Sequence, residues 1–99
     1  MGSQMAYVRL SIVKPIRGQE AHVERLLREL ADTVRAMPGC LQSMTMRADD
    51  GSGELARVAI YESERAAAEA ANSSHVMALR SELHLNVEAG HVERSFDEI

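Results

Sequence analysis

At 99 residues the chain makes one domain, and a domain this short buries only about two-thirds of its surface alone, so burial against a partner would help. A net charge of −4 argues against a nucleic-acid binder, which needs a basic surface. No apolar run approaches the roughly 18 residues of a membrane span, no charged-apolar-small leader precedes the first strand, and the single cysteine, Cys40, excludes an intrachain disulfide; the expectation is a cytoplasmic protein.

Residues 1–4, Met1-Gly2-Ser3-Gln4, read as a cloning remnant, which leaves 5–99 as the domain. Val8, Leu10 and Ile12 alternate with Tyr7, Arg9 and Ser11, a period of two that predicts a strand over Ala6–Val13. Pro15 ends it, because proline cannot donate to a ladder. After Gly18, Val23, Leu26, Leu27, Leu30 and Val34 recur at helical spacing and form an apolar stripe. Glu24–Arg28 and Arg25–Glu29 are i,i+4 pairs on its other faces, and Pro38-Gly39 stops the helix.

Leu41–Arg47 alternates again, with apolar residues on both faces. The acidic turn Asp49-Asp50-Gly51-Ser52-Gly53 closes a hairpin to a third strand, Glu54–Tyr61, whose apolar face is Ala56, Val58 and Ile60. Ser63 caps an Ala-rich helix over Glu64–Ala71. Asn72-Ser73 breaks it, and a second segment runs over Ser74–His84 with Val76, Leu79 and Leu83 inward. Asn86–Phe96 reads as the last strand, with Gly90 as a bulge. The order β-α-β-β-α-β is the ferredoxin-like split arrangement. Its helices cover one face of the sheet, and the other face is expected to carry Tyr7, Arg9, Ser11, Arg57 and Ala59.

Few residues announce chemistry. Gly51-x-Gly53 lacks the following helix that a phosphate site needs, and the histidines His22, His75, His84 and His91 are scattered without metal-ligand spacing. His75 falls in the first turn of the last helix, where the helix dipole favours a neutral ring able to accept a proton; an exposed helix-start histidine explains it as well. Tyr61, at a strand end, lines a pocket or fills the core. Arg80 and His84 are i,i+4 neighbours, at a pocket mouth or on a solvated face. Arg9 and Arg57 are expected as paired charges at the sheet interface, with Tyr7 beside them. Met44 and Met77, like Met37 and Met46, are core fillers or the adaptable lining of a ligand pocket. Cys40 reads as a small buried hydrophobe.

The helix stop at Met37-Pro38-Gly39-Cys40-Leu41, the acidic hairpin turn, the strand Ala56–Tyr61, Glu62-Ser63-Glu64 and Asn72-Ser73-Ser74-His75 together resemble the antibiotic-biosynthesis monooxygenase family. The resemblance covers Met5 to about Phe96 and implies a dimeric α+β barrel: two ferredoxin-like sheets face each other in a homodimer and each last strand reaches its partner. It implies a small-molecule substrate in a pocket between sheet and helices, and cofactor-independent oxidation of an aromatic or quinol-type compound. An isomerase or a non-catalytic binding dimer on the same fold are the alternatives. The family's Ser-Pro-His pattern stands here as Ser73-Ser74-His75, which makes His75 the expected base, with Tyr61 (often tryptophan in the family), Arg80, Met44 and Met77 around the substrate. The haem-degrading branch has asparagine, tryptophan and histidine where this chain has Val8, Ala70 and Arg80, so no haem is expected, nor a flavin or a metal.

Overall fold

The computed structural model describes residues 5–99, and the stretch read as a cloning remnant lies outside them. The elements follow the expected order: β1 (Tyr7–Val13), α1 (Glu20–Arg35), β2 (Cys40–Arg47), β3 (Leu55–Tyr61), α2 (Glu64–Ala71), α3 (Ser74–Leu85) and β4 (Val92–Asp97). They form one antiparallel sheet of order β2-β3-β1-β4. α1 buries Val23, Leu26, Leu27, Leu30, Ala31 and Val34, the stripe its sequence spells out. Ser63 and Ser73 cap α2 and α3, their hydroxyls accepting from the amides of Ala66 and Val76. Of the two ion pairs read on α1, Glu24–Arg28 is present at 2.8 Å, whereas Glu29 turns instead to His75.

Gly39 fixes the path between α1 and β2. Its φ of +81° lies in the left-handed region that favours glycine. A Cβ built there would stand 2.5 Å from the Cβ of Ala66 on α2, so the glycine also lets the turn lie against that helix.

Two sequence expectations change. The last strand is shorter than Asn86–Phe96: residues 88–91 turn instead, and Val87 makes only an isolated bridge with Pro15. Gly90, at φ +90°, belongs to that turn rather than to a bulge.

The larger correction concerns the faces of the sheet. On the inner face, the cross-strand rows are Thr45–Arg57–Ser11–Glu93, Ser43–Ala59–Arg9–Ser95 and Cys40–Tyr61–Tyr7–Asp97. This is the face beneath the helices: Ser43, Ala59 and Tyr61 are buried, and the Thr45 hydroxyl donates to the Leu27 carbonyl of α1 at 3.1 Å. Tyr7, Arg9, Ser11, Arg57 and Ala59 therefore lie under the helices, and Arg9 and Arg57 are not paired charges on the opposite face. The outer rows are Met44–Val58–Leu10–Arg94, Met46–Ala56–Ile12–Val92 and Gln42–Ile60–Val8–Phe96, a largely apolar surface with no cover among the described residues. A period of two fixes which residues share a face but not which face meets the helices. Both faces here hold enough apolar side chains to serve.

Candidate functional site

The two inner polar rows end in a cavity of about 200 Å³ between the sheet, α2 and α3. β1 contributes Arg9 and Ser11, β3 Arg57 and Tyr61, and β4 Glu93 and Ser95; Ala71, Val76 and Arg80 close it from the helices and Val34 from α1. The small Ala66, Ala67, Ala70 and Ala71 keep α2 thin where it crosses the sheet. At the mouth, Arg80 Nη2 donates to both carboxylate oxygens of Glu93 at 3.1 and 3.4 Å, tying α3 to β4.

The electrostatics are lopsided. Arg9 Nε and Arg57 Nη1 are buried and find no partner among the described residues. Among the described residues neither guanidinium has a carboxylate within salt-bridge reach. Arg9 lies over the Tyr7 ring, 5.6 Å from its centroid. Burial draws Arg57 below its ordinary value, and burial likewise pushes the neighbouring Tyr61 phenol up against the opposing pull of Arg57. For Glu93 burial acts upward, but Arg80, His91 and His84 together hold the carboxyl below its ordinary value. The cavity thus presents cationic hydrogen-bond donors, one phenol and one ionised carboxylate.

Of the residues singled out from sequence, Tyr61 and Arg80 meet in this cavity. The other three do not line it. His75 occupies the first turn of α3, but its side chain is 55% exposed and its Nε2 lies 3.2 Å from Glu29 Oε2 of α1. Met77 is on the solvated side of α3, 54% exposed. Met44 belongs to the outer face of the sheet, in the row with Val58 and Leu10. It also borders a larger groove of about 370 Å³ between α1 and β2. That groove is a weaker candidate: its charges are satisfied by one another, Glu24 by Arg28 and Arg47, Asp32 by Arg35. Arg9, Arg57 and Glu93 complete the inner site. The signal of the two arginines in the sequence is a single charged residue set among the apolar residues of each of β1 and β3, Arg9 and Arg57, which share one face of the sheet.

Two further groups have limited chemistry. Burial raises the Cys40 thiol above its ordinary value, which disfavours thiolate. His84, His91 and Glu93 bring their ligand atoms within 4.8 Å of one another, with both Nε2 atoms 3.3–3.4 Å from Glu93 Oε2. The two rings are stacked, however, 4.7 Å apart and 26° from parallel. Both Nε2 atoms address the same Glu93 carboxylate oxygen, which engages the pair without an ion.

A split βαβ sandwich with a cavity under its Ala-rich helix defines the class, and the sequence places the chain within it. Residues 5–82 match the antibiotic biosynthesis monooxygenase family, and the protein belongs to that family. Among solved structures, Rv0793 from Mycobacterium tuberculosis is similar with a TM-score of 0.87 at 20% identity, covering 95% of each chain. A putative antibiotic biosynthesis monooxygenase from Caulobacter crescentus superposes with a TM-score of 0.86 at 19% identity, over 98% of this chain and 92% of its own. A mutant of SnoaB, a cofactor-independent oxygenase from Streptomyces nogalater, gives 0.81 at 14% identity, over 92% and 90%. At these identities the likeness is one of fold. No curated protein sequence matches the chain.

Proposed function

We propose that the protein is a cofactor-independent oxygenase-like enzyme acting on a small phenolic or enolisable substrate in the cavity between sheet and helices. The observation that carries this reading is the pair of guanidiniums of Arg9 and Arg57 beside Tyr61, each with one buried nitrogen that has no partner among the described residues. A substrate that loses a proton becomes an enolate or phenolate, and fixed cationic donors in a partly dry site stabilise that charge far better than water-exposed ones. Glu93, ionised and held by Arg80, is the proton acceptor in the lining. The electron-rich anion itself reduces O2: the CH2 carbon, or the CH carbon of its enol, takes one oxygen atom and becomes a carbonyl, and the second oxygen atom leaves with the two hydrogens as water. SnoaB, of the same fold, is a cofactor-independent oxygenase. In this reading the proton acceptor is Glu93, and His75, outside the cavity, has no direct part.

We also infer a homodimer closed through the outer face of the sheet. The rows through Val58 and Ile60 leave a continuous apolar surface uncovered, larger in character than the isolated exposed residues a monomer tolerates. A stable dimer interface needs about 800 Å² per partner.

Oxygen consumption tests the enzymatic reading. Uptake of one O2 per substrate with small hydroquinones or β-dicarbonyl compounds, in metal-free buffer, supports it. Deuterium exchange into the same compounds without oxygen uptake would replace it with the isomerase reading, which uses the same acceptor and the same cations.

A further inference from the structure

Arg9 and Arg57 are diagonal neighbours across the β1–β3 ladder, since Arg9 pairs with Ala59 and Arg57 with Ser11. Side chains in that relation stand about 7–8 Å apart at the backbone and reach one another when long, and like charges so placed repel. Here the repulsion is aggravated by burial, because each guanidinium has a buried N–H with no partner among the described residues. Of the other two arginines of the lining, Arg94 lies over the Phe96 ring and Arg80 is matched by Glu93, and no carboxylate among the described residues is within salt-bridge reach of Arg9 or Arg57. In a protein whose overall charge is −4, this concentration of cation in one cavity is not a by-product of composition.

We propose that the cavity binds a small metabolite through a permanent oxyanion, a carboxylate or a phosphate, gripped by Arg9 and Arg57. Guanidinium forks match the oxygens of either group, and the Tyr61 phenol adds a donor beside them. Size argues in the same direction. At about 200 Å³ the cavity falls below the roughly 300–1,000 Å³ of sites for drug-sized ligands, which favours a compact acid over a polycyclic compound. The inference rests on the cavity proposed above as the active site and adds the charge and size class of what enters it.

The test is calorimetric and thermal titration of the intact protein at low ionic strength with inorganic phosphate, with benzoate, and with benzyl alcohol as the neutral counterpart. We expect one of the two anions to bind and raise the melting temperature, and benzyl alcohol to do neither; which anion binds identifies the group. Arg9→Gln and Arg57→Gln should each weaken that binding at least tenfold while keeping the fold, because each removes a guanidinium that has a buried nitrogen without a partner among the described residues. Arg57→Lys should fall between parent and Arg57→Gln, and Arg65→Gln, on the exposed face of α2, should bind like the parent. If Arg57→Gln does not fold, the Arg9→Gln and Arg57→Lys variants carry the comparison. Absence of binding by both anions, equal protection by benzyl alcohol, or unchanged affinity in Arg9→Gln and Arg57→Lys would overturn the proposal. Oxygen uptake with a neutral quinol alongside any of these results would leave the oxygenase reading standing. Anion binding without oxygen uptake would leave only the ligand class.

Discussion

His75 Nε2 and Glu29 Oε2, 3.2 Å apart, join α3 to α1 across the outer surface of the protein. The imidazole is thereby engaged away from the cavity. His75→Ala should keep the fold and at least half of any turnover or anion binding, whereas Tyr61→Phe and Glu93→Gln should reduce turnover several-fold or more. Steady-state rates on the three variants decide this. Loss of activity in His75→Ala with an intact fold would return the histidine to the mechanism.

The α1 stripe should carry stability unevenly. Leu30, 1% exposed, should cost ~2–5 kcal/mol when cut to alanine. Arg28 is exposed and holds only a surface pair with Glu24; its alanine variant should lie within about 0.5 kcal/mol of the parent. Urea unfolding of the two proteins measures both, and equal costs would refute the helix phase.

Gly39→Ala combines two penalties, a left-handed φ and a 2.5 Å approach to Ala66. The backbone part alone is of order 1–3 kcal/mol. The variant should therefore melt well below the parent, and Gly51→Ala, with the same sign of φ but open space around its Cβ, should lose less.

Val58 is central on the outer face, between Met44 and Leu10. If that face closes a dimer, Val58→Glu should yield monomers in sedimentation velocity at micromolar concentration while the circular dichroism of the sheet persists. A parent protein that is itself monomeric there would end the dimer inference.

The acid limb of stability should depend on Glu93. Its folded value lies below the ordinary one, so its tie to Arg80 contributes fully above the ordinary glutamate value and is lost as the pH falls through the lower folded value. Glu93→Gln should flatten that part of the stability–pH curve. An unchanged curve would show that the carboxylate does not couple folding to protons.

The periodicities of 3.6 and 2 in this chain specify α1, β1 to β3 and the serine-capped helices nearly to the residue, because each signal is local. The choice of covered face is not local. Val8-Leu10-Ile12 outweighs Tyr7-Arg9-Ser11 in hydrophobicity, so pattern alone assigns it to the helices. The opposite holds because Val13, Leu55, Ala59 and Tyr61 supply a sufficient inner core at one end and along β3, while the more apolar set is left outward. The same inversion hid the site: Arg9 and Arg57 look like surface charges until the face is known. Tyr61 is legible as a strand-end aromatic, but its side of the sheet follows that of Arg57 and Ala59. His75 drew attention through its helix position, yet a first-turn residue can face solvent as readily as a pocket.

The two borders of the sheet are finished differently. β2 is irregular, its register with β3 shifting between Cys40 and Gln42, and the Arg35 guanidinium donates twice to its Ser43 carbonyl. A strand that is kinked and has an acceptor already engaged is a poor template for another chain. β4 carries no comparable obstruction along Val92–Asp97. Growth by strand addition therefore has one usable side instead of two, and two copies that meet there leave only blocked borders outward. Open-ended growth along the sheet is thereby blocked at one border, and the residue that blocks it is an arginine on a helix rather than anything in the sheet.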